Sequence, residues 1–530
     1  MDHLLSYLLF FPLLIAALML FMPKAKEAVF RRMALGATGV QLALSIILLL
    51  QFDQSVGEVT GWQGVFQFIE RASWIDLDLG SLGSLKAEYF LGVDGISLPL
   101  VVLSTFILFI GVLSSWNIKE KVRGYFILYL ILSSSIIGCF IALDFFLFYI
   151  FFELMLLPIF FLIGIWGGKR RSYASIKFFL YTLLGSLFVL IVMIGLYLSV
   201  VDGETHTFSL INMMDGEYLK GAILDPDSKQ VVFGYSARAL AFVFLLIGFG
   251  IKLPAVPVHT WLPDAHVEAP TPISVVLAGL LLKVGAYGLF RMAYGIFPDV
   301  AADMAPLVAF FGVLSIIYGG MNALAQNDLK RMVAYSSVSH MGFVLIGLAS
   351  MTTEGNNGAL FHLVSHGLIS PALFIVAGVI YDRTQNKEIE HFSGLASKMP
   401  VYTFFVALFF FAGLGLPGLS GFVGEVLVLI GAFKASHLSV WIGVTAALGI
   451  AISAAYFLWT IQRMFFGTYF VRQKAWEPNM FDLTAREKWM LVPLALLVLI
   501  LGIYPKLILS FSEETINYFT SQLGGLQPGK

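Results

Sequence analysis

Four charged residues lie well inside long apolar segments of the sequence, where a charge is unfavourable. They are two acids and two lysines, Glu153, Lys252, Lys283 and Glu425. If such a segment crosses a bilayer, a charge at its centre opposes insertion by at least about 2.5–3.5 kcal/mol. Each of the four residues therefore needs a structural or a functional reason for its position.

Carboxyl and amino groups in an apolar setting are suited to moving protons. Burial raises the pKa of a carboxyl group and lowers that of an amine, whereas a nearby opposite charge acts against both shifts. A buried lysine whose acidic partner moves closer or farther can therefore gain or lose a proton near neutral pH. The four charges, each in a different apolar segment, predict a proton relay. The alternative is that Glu153 with Lys252, and Lys283 with Glu425, form static ion pairs between helices.

Two histidines, His340 and His366, also lie inside apolar segments. An imidazole titrates near pH 6.5 and can bridge lysine sites that are too far apart for direct transfer. The alternative is a neutral histidine bonded to a backbone carbonyl. His362 and His366 are four residues apart and share a helix face, as zinc ligands do, but no acid follows His362 in the metalloprotease pattern. We therefore expect no metal site.

The composition requires a membrane around these residues. Of 530 residues, 59% are hydrophobic and 12% are charged, against about 25% charged in a soluble domain, and the mean hydropathy is +0.88. The net charge of −1 gives no basic surplus for binding nucleic acid. The single cysteine, Cys139, excludes Cys-ligated iron–sulfur clusters, internal disulfides and Cys-type zinc sites.

The apolar segments are continuous and long enough to be membrane helices, which need about 20 residues each. They lie at 4–22, 33–51, 95–115, 124–142, 145–166, 174–200, 239–258, 273–294, 305–324, 330–350, 357–381, 401–433, 439–465 and 489–512. Hydrophobicity that does not alternate along the segments argues for helices and against a barrel. The sequence therefore predicts an all-α polytopic membrane protein with about 14 transmembrane helices.

Basic residues are concentrated in the odd-numbered loops between these segments. Examples are Lys119, Lys121 and Arg123; Lys169, Arg170 and Arg171; and Lys330 and Arg331. The two long even-numbered loops are instead rich in acidic residues. Cytoplasmic loops carry the excess of basic residues. The pattern thus predicts cytoplasmic odd-numbered loops and both termini on the outer, periplasmic side of a bacterial inner membrane.

The seventh and twelfth segments are interrupted by proline and glycine, at 250–257 and 413–421. Proline removes a backbone donor and clashes with the preceding turn, so both helices should break near the middle of the membrane. Because the two breaks are five segments apart, helices 4–8 and 9–13 read as two inverted five-helix repeats around an ion pathway. The alternative is a pair of ordinary proline kinks.

This reading divides the chain into four parts. Residues 1–122 hold helices 1–3 with an acidic outer loop, 123–300 the first repeat, 301–466 the second repeat, and 467–530 helix 14 with a tail. The connection 260–272 has three prolines and no basic residue, which predicts a rigid cytoplasmic loop. Its Asp264, His266 and Glu268 could admit protons or cap the eighth helix, and the sequence favours the structural role.

Several segments resemble the antiporter-like membrane subunits of respiratory complex I, a family that also includes large subunits of sodium/proton antiporters. They are FELMLLP at 152–158, KLP at 252–254, HTWLPDAH at 259–266, APT at 269–271, GLLLK at 279–283 and SVSHMG at 337–342. The resemblance covers residues 90–465. Within the family, an acid at Glu425 and the lack of a long lateral helix resemble the branch of subunit M, or mitochondrial subunit 4.

The resemblance implies a role for each buried residue. Glu153 and Lys252 would form the coupling pair, Lys283 the centre of the relay and Glu425 its exit side, with His340 and His366 as bridges. It implies no redox cofactor in this chain, with flavin and iron–sulfur clusters in partner subunits. The implied partners are the other membrane subunits of complex I, especially the L-like and N-like ones.

The function expected from this resemblance is proton translocation as a membrane subunit of NADH:quinone oxidoreductase, driven by electron transfer elsewhere in the complex. The chain would be part of an enzyme, a translocase, without a redox centre of its own. The alternative is a subunit of a multisubunit cation (Na⁺)/proton antiporter, which shares the relay chemistry. A third reading, an intramembrane metal hydrolase built on His362 and His366, lacks a carboxylate ligand at a suitable spacing.

Overall fold

The computed structural model describes residues 3–23, 27–54, 61–78, 84–202, 205–228, 230–232 and 234–524. The prediction that both termini lie on the outer side concerns chain ends outside this described part. The helices, in chain order, are α1 Leu4–Phe21, α2 Glu27–Gln51, α3 Trp62–Val65, α4 Ser97–Ser114, α5 Val122–Ile141, α6 Phe145–Leu154, α7 Leu156–Trp166, α8 Arg171–Ser199, α9 Leu210–Met214, α10 Ala237–Lys252, α11 Trp261–Glu268, α12 Thr271–Val276, α13 Leu282–Gly288, α14 Pro298–Leu324, α15 Leu329–Ala349, α16 Thr353–Thr384, α17 Pro400–Gly413, α18 Ser420–Lys434, α19 Val440–Phe465, α20 Ala485–Ile503 and α21 Lys506–Gly524.

Shorter elements connect these helices. Two π-helical segments, Leu277–Leu281 and Leu289–Tyr294, flank α13 and join it to α12 in one continuous rod. The strands form four antiparallel two-stranded ribbons, β1 Gln67–Asp78 with β2 Ser84–Val93, β3 Val201–Asp202 with β4 Thr205–His206, β5 Val231–Val232 with β6 Tyr235–Ser236, and β7 Phe392–Ser393 with β8 Phe470–Val471. All of them lie in connections between helices.

The structure confirms a helical, polytopic membrane protein. Within the described ranges, 11 helical segments are long and apolar enough to cross a membrane, or up to 12 if the bent pair α20 and α21 counts as one span. The rods at 271–294 and 353–384 are completely buried by other helices over their apolar windows. The lysine- and histidine-bearing segments therefore form the centre of the bundle rather than its lipid-facing surface. The number of about 14 transmembrane helices expected from the sequence stays a prediction.

Helices end where the sequence places proline and glycine. α10 stops at Lys252, before Pro254 and Pro257, and α11 begins only at Trp261. α17 stops at Gly413 and α18 begins at Ser420. In between, Gly415 and Gly418 have φ values of +77° and +91°, a conformation in which glycine is favoured because it has no Cβ. The chain thus leaves helical geometry at both places singled out in the sequence.

Ion pairs fasten helix ends that are distant in the sequence. Arg238 at the start of α10 binds Asp299 at the start of α14, with a shortest N–O distance of 2.6 Å. Arg383 near the end of α16 binds Glu487 in α20 at 3.0 Å. Guanidinium groups suit such buried contacts because their planar fork of donors matches a carboxylate.

A further ion pair, between Arg291 and Asp94, is completely buried. Asp94 precedes α4 and also accepts hydrogen bonds from the backbone N–H groups of Ile96 and Ser97. Arg291 belongs to the second π-helical segment, and its guanidinium lies 4.9 Å from the centre of the Phe66 ring. Sequence analysis did not single out this pair, because the two residues lie almost 200 positions apart near segment ends.

Replacing Arg291 with leucine should destabilise the protein strongly, because it leaves the Asp94 carboxylate buried without a counter-charge. Breaking one partner of a buried pair typically lowers stability by about 3–5 kcal/mol. The measurement is the unfolding temperature of the purified protein in detergent. Combining Arg291→Leu with Asp94→Asn, which keeps an acceptor for the backbone N–H groups of Ile96 and Ser97 but removes the charge, should recover part of the loss. An equal loss in the single and the double variant would contradict the role of this charge pair.

Candidate functional site

Lys283 lies at the centre of the bundle and is fully buried. Its Nζ atom donates a hydrogen bond to the backbone carbonyl of Ala278 at 2.7 Å and lies 2.8 Å from Nδ1 of His366. Ala278 belongs to the first π-helical segment, in which carbonyl groups are displaced from the regular α-helical pattern. A backbone carbonyl and an imidazole therefore stabilise the ammonium group in place of a carboxylate.

Three imidazole rings surround a small cavity next to Lys283. His340 on α15 lies 5.4 Å from His362 and 5.7 Å from His366, both on α16, measured between ring centres. His362 and His366 are 6.5 Å apart on one face of their helix. The cavity leaves about 10 Å³ of space for water, close to the minimum for one molecule. Sequence analysis noted the spacing of four residues, considered His362 only as a zinc ligand and rejected that role, and so missed this cluster.

Glu425 lies beyond His340 and is also buried. One carboxylate oxygen, Oε1, is 3.6 Å from Nδ1 of His340. Neither oxygen has a hydrogen-bond donor among the residues that the structure describes. Lys283, His366, His340 and Glu425 therefore form a row through the bundle, called here the central polar row. Lys283 and Glu425 are not a static ion pair, because the two histidines lie between them.

Lys252 lies at the end of α10, beside this row but separate from it. Its ammonium group lies 4.3 Å from the centre of the Phe152 ring and has no hydrogen-bond partner within the described ranges. Gly285, two residues after Lys283, packs directly against the backbone of Phe249 and Leu253 and the Cβ atom of Lys252, where any larger side chain would collide. The helices that carry the two buried lysines are therefore in close contact, although the two ammonium groups are not paired.

Glu153 lies on α6, one residue beyond Phe152. α6 and α7 form one membrane-length segment, Phe145–Trp166, with a turn at Met155, and Pro158 removes a backbone donor from this turn. One carboxylate oxygen of Glu153 is buried without a hydrogen bond to any described residue. Glu153 acts electrostatically on Lys252, but no ion pair of 4.0 Å or less joins them in the described chain. Glu153 and Lys252 therefore do not form the static ion pair that the sequence analysis considered as an alternative.

The connection predicted as a loop, 260–272, contains the short helix α11, and this part of the prediction is wrong. Pro263 is compatible with α11 because it falls in the first turn, where backbone N–H groups have no helical acceptor. Asp264 binds Lys177 at 2.7 Å and Arg331 at 2.8 Å, which ties α8 and α15 to α11. Asp264 therefore has a structural role, but as an ion-pair partner of α8 and α15 and not as the expected cap of the eighth helix.

The other two residues of this connection differ from Asp264 and from each other. Glu268 accepts a hydrogen bond from the backbone N–H of Arg170 at 2.8 Å. His266 is fully buried and stacks on Phe374, with ring centres 4.4 Å apart. In the part of the chain that the structure describes, no three or more His, Cys, Asp or Glu side chains are placed to hold a metal ion.

Comparisons with known proteins agree on one family. Residues 142–451 match the family described as NADH:quinone oxidoreductase/Mrp antiporter, and residues 80–141 match the amino terminus of NADH-ubiquinone oxidoreductase chain 4. The chain is 40% identical to NADH-quinone oxidoreductase subunit M of Rhodobacter capsulatus, over 96% of this chain and 94% of that protein. It is 36% identical to NADH-ubiquinone oxidoreductase chain 4 of Arabidopsis thaliana, over 97% and 96%.

Solved structures show the same fold. A chain of respiratory complex I from Thermus thermophilus, solved with bound NADH, superposes with a TM-score of 0.80 at 30% identity, over 98% of this chain and all of that one. A chain of the archaeal membrane-bound sulfane sulfur reductase gives 0.77 at 23% identity, over 95% and 76%. At 23% identity, the similarity to the sulfane sulfur reductase chain concerns the fold alone.

Adding a methyl group at Gly415 should disturb Glu425, because the α-carbon of this glycine faces the carboxylate directly. The positive φ adds about 1–2 kcal/mol for any residue with a Cβ. Gly418→Ala is the matched control, since Gly418 also has a positive φ but no atom close to the new methyl group. We expect Gly415→Ala to lower the unfolding temperature of the detergent-purified protein more than Gly418→Ala. An equal decrease in unfolding temperature for the two variants would mean that the positive φ alone, and not the contact with Glu425, causes the loss of stability.

Proposed function

The chain belongs to the NADH:quinone oxidoreductase/Mrp antiporter family of membrane subunits, and we propose that it translocates protons as a subunit of NADH:quinone oxidoreductase. The observation that supports this proposal best is the central polar row, in which Lys283, His366, His340 and Glu425 follow one another through the apolar core. Ionisable residues inside a membrane domain mark ion pathways by default, because burying them without a function is unfavourable.

Each member of the row can give and take a proton. The ammonium group of Lys283 can donate to His366, because a neutral imidazole accepts at one ring nitrogen while the other donates. His366 can pass a proton through a water molecule in the small cavity to His340, and His340 to the carboxylate of Glu425. His362 shares this cavity and can take part in the same exchange.

Glu153 and Lys252 supply the control of this row in our proposal. Lys252 has Glu153 as a nearby acid but no ion pair to hold it, so a small displacement changes the field at the ammonium group. The charge on Lys252 then changes the affinity of Lys283 for its proton, because Gly285 brings the two helices into contact and charges interact strongly in an apolar medium.

The finer architecture belongs to the same proposal. α10 with α11, and α17 with α18, would each be one interrupted span, which brings the number of spans towards 14. The parts 123–300 and 301–466 would be the two inverted repeats. The basic loops would face the cytoplasm of a bacterial cell, with both termini on the periplasmic side of the inner membrane.

The partners proposed for this chain are the other membrane subunits of complex I, including L-like and N-like ones. Flavin and iron–sulfur clusters would belong to partner subunits. The alternative function, a subunit of a cation/proton antiporter, keeps a basis in the family description, which includes Mrp antiporters. Deleting the gene distinguishes the two functions: loss of NADH:quinone activity from the membranes supports the first, and loss of sodium tolerance alone supports the second.

Lys283→Arg should stop proton pumping, because arginine keeps the charge but cannot release its proton at accessible pH. We expect at least about a tenfold lower rate of NADH-driven acidification of inverted membrane vesicles, since positioned acid–base groups typically contribute about 10²-fold or more. Lys177→Arg is the control, because Lys177 holds Asp264 as a charge alone. Native gels establish that both variants assemble. Wild-type pumping by Lys283→Arg would exclude the relay role.

Glu153→Gln should severely reduce pumping while the complex still assembles, because glutamine keeps the shape of the side chain and removes the charge that acts on Lys252. The same vesicle assay measures this effect. Leu154→Met, a volume-conserving change at the neighbouring position of α6, should leave pumping unchanged. Normal proton uptake by the Glu153→Gln complex would show that the charge of Glu153 is not needed for pumping and that the residue has only a structural role.

A further inference from the structure

A cavity of about 700 Å³ lies on the face of the molecule that carries the basic loops. Six parts of the chain contribute to its wall: residues 114–118 at the end of α4, the turn 166–170 before α8, the connection 267–272, Lys330 in α15, residues 375–388 at and after the end of α16, and the beginning of α20. Its wall contains cations and acids together, among them Arg170, Glu268, Asp382 and Arg486. Such a mixed wall favours water over an apolar ligand or a single ion.

Lys330 forms part of this wall although its side chain is almost completely buried. The residue lies in the first turn of α15, and only 2% of its surface is exposed. Its Nζ atom makes one long hydrogen bond, 3.4 Å, to the carbonyl of Ala269 and lies 5.1 Å from the centre of the Tyr381 ring. No carboxylate of the described ranges lies within 4.0 Å. Sequence analysis counted Lys330 only as a charge in a loop.

The charged groups that face Lys330 come from every element packed around it. Lys387, Asp328, Asp382 and Glu268 all act on its ammonium group. Lys387 is itself paired with Asp328 at 3.5 Å. Lys330 is therefore a buried amine at the cavity wall, and Glu268 and Asp382 supply carboxylates in the same wall.

His266 lies one helical turn before Ala269, whose carbonyl binds Lys330, and it stacks on Phe374 of α16, the helix that carries His366. The ammonium groups of both Lys330 and Lys283 act electrostatically on its ring, and the ring acts in turn on His366. Phe374 holds the ring by stacking, while both ring nitrogens lack hydrogen-bond partners among the described residues. Buried polar atoms are normally satisfied, so an imidazole held only by stacking indicates a use for its nitrogens.

We propose that this cavity is where protons enter the central polar row, with Lys330 and His266 as the first two carriers. The neutral amine of Lys330 takes a proton from water in the cavity, and its ammonium group passes one to a ring nitrogen of His266. The other ring nitrogen releases a proton towards His366 and Lys283. This inference rests on the proposed function and adds the side from which the row is filled.

The first test replaces the two carriers in the assembled complex. Lys330→Met, Lys330→Arg and His266→Phe should each lower NADH-driven proton pumping in inverted vesicles by at least about tenfold. Phenylalanine at 266 keeps the stacking on Phe374 and removes only the nitrogens. Lys398→Met is the control, because Lys398 also lies over a tyrosine ring, that of Tyr469, at 5.3 Å, but outside the cavity. It should pump normally, and wild-type pumping by the three carrier variants would overturn the proposal.

The second test blocks the cavity after folding and assembly, so a folding defect cannot explain its result. Cys139 is the single native cysteine and is buried. Ser114→Cys places a thiol in the cavity wall, and Gln473→Cys places one on an exposed loop outside it. A membrane-impermeant methanethiosulfonate with a trimethylammonium group forms a disulfide with the thiolate and releases methanesulfinate. The unsubstituted complex gives the background from other subunits.

In inverted vesicles, the reagent should stop pumping by the Ser114→Cys complex and spare the Gln473→Cys complex. When the reagent is instead added to right-side-out vesicles, which are washed and then inverted for the assay, it should have no effect on either complex. Continued pumping by labelled Ser114→Cys, or inhibition only from the periplasmic side, would overturn the proposal. If the carrier variants and labelled Ser114→Cys pump normally while Lys283→Arg pumps poorly, only the proposed proton entry through the cavity is rejected. If Lys283→Arg itself pumps normally, the proposed function is rejected.

Discussion

The rest of this structure depends on the low dielectric constant of the membrane interior. Removing a charge from water into such a medium is unfavourable, so every buried charge must be compensated by a partner. Most buried charges meet this requirement with a direct partner, as Arg291 does with Asp94. Lys252, Lys283 and Glu425 lack a carboxylate or ammonium group at ion-pair distance among the described residues. The way in which a charge is compensated therefore separates the residues that hold helices together from those proposed to carry protons.

Backbone groups obey the same constraint and contribute to the site. A membrane helix satisfies its own N–H and C=O groups, so departures from α-helical geometry are informative. α10 ends at Lys252, π-helical geometry at 277–281 surrounds the carbonyl that Lys283 binds, and the glycine-rich connection before α18 faces Glu425. Irregular backbone occurs beside all four charges first seen in the sequence, since α6 also ends in a turn at Met155, next to Glu153.

These features give a consistent physical picture of the proposed translocation. The central polar row offers groups that can donate and accept protons. The ammonium group of Lys252 is not held by an ion pair. The contact at Gly285 brings the helix of Lys252 against the helix of Lys283. The cavity at the basic face reaches Lys330, which lies on α15, the helix that also carries His340 of the row. Structural ion pairs such as Lys177 with Asp264 hold the surrounding helices in place, so that short proton transfers suffice.

The sequence by itself determined the helical class, the places where helices end and the four charged positions, because hydrophobicity, proline and insertion cost are properties read along the chain. It could not determine distances between helices. Only the tertiary structure separated Lys283 from Glu425 by two histidines, added His362 to them, buried Lys330 beside a cavity and turned the loop 260–272 into α11. Contacts of this kind depend on how side chains of several helices pack together, which no single segment of sequence encodes.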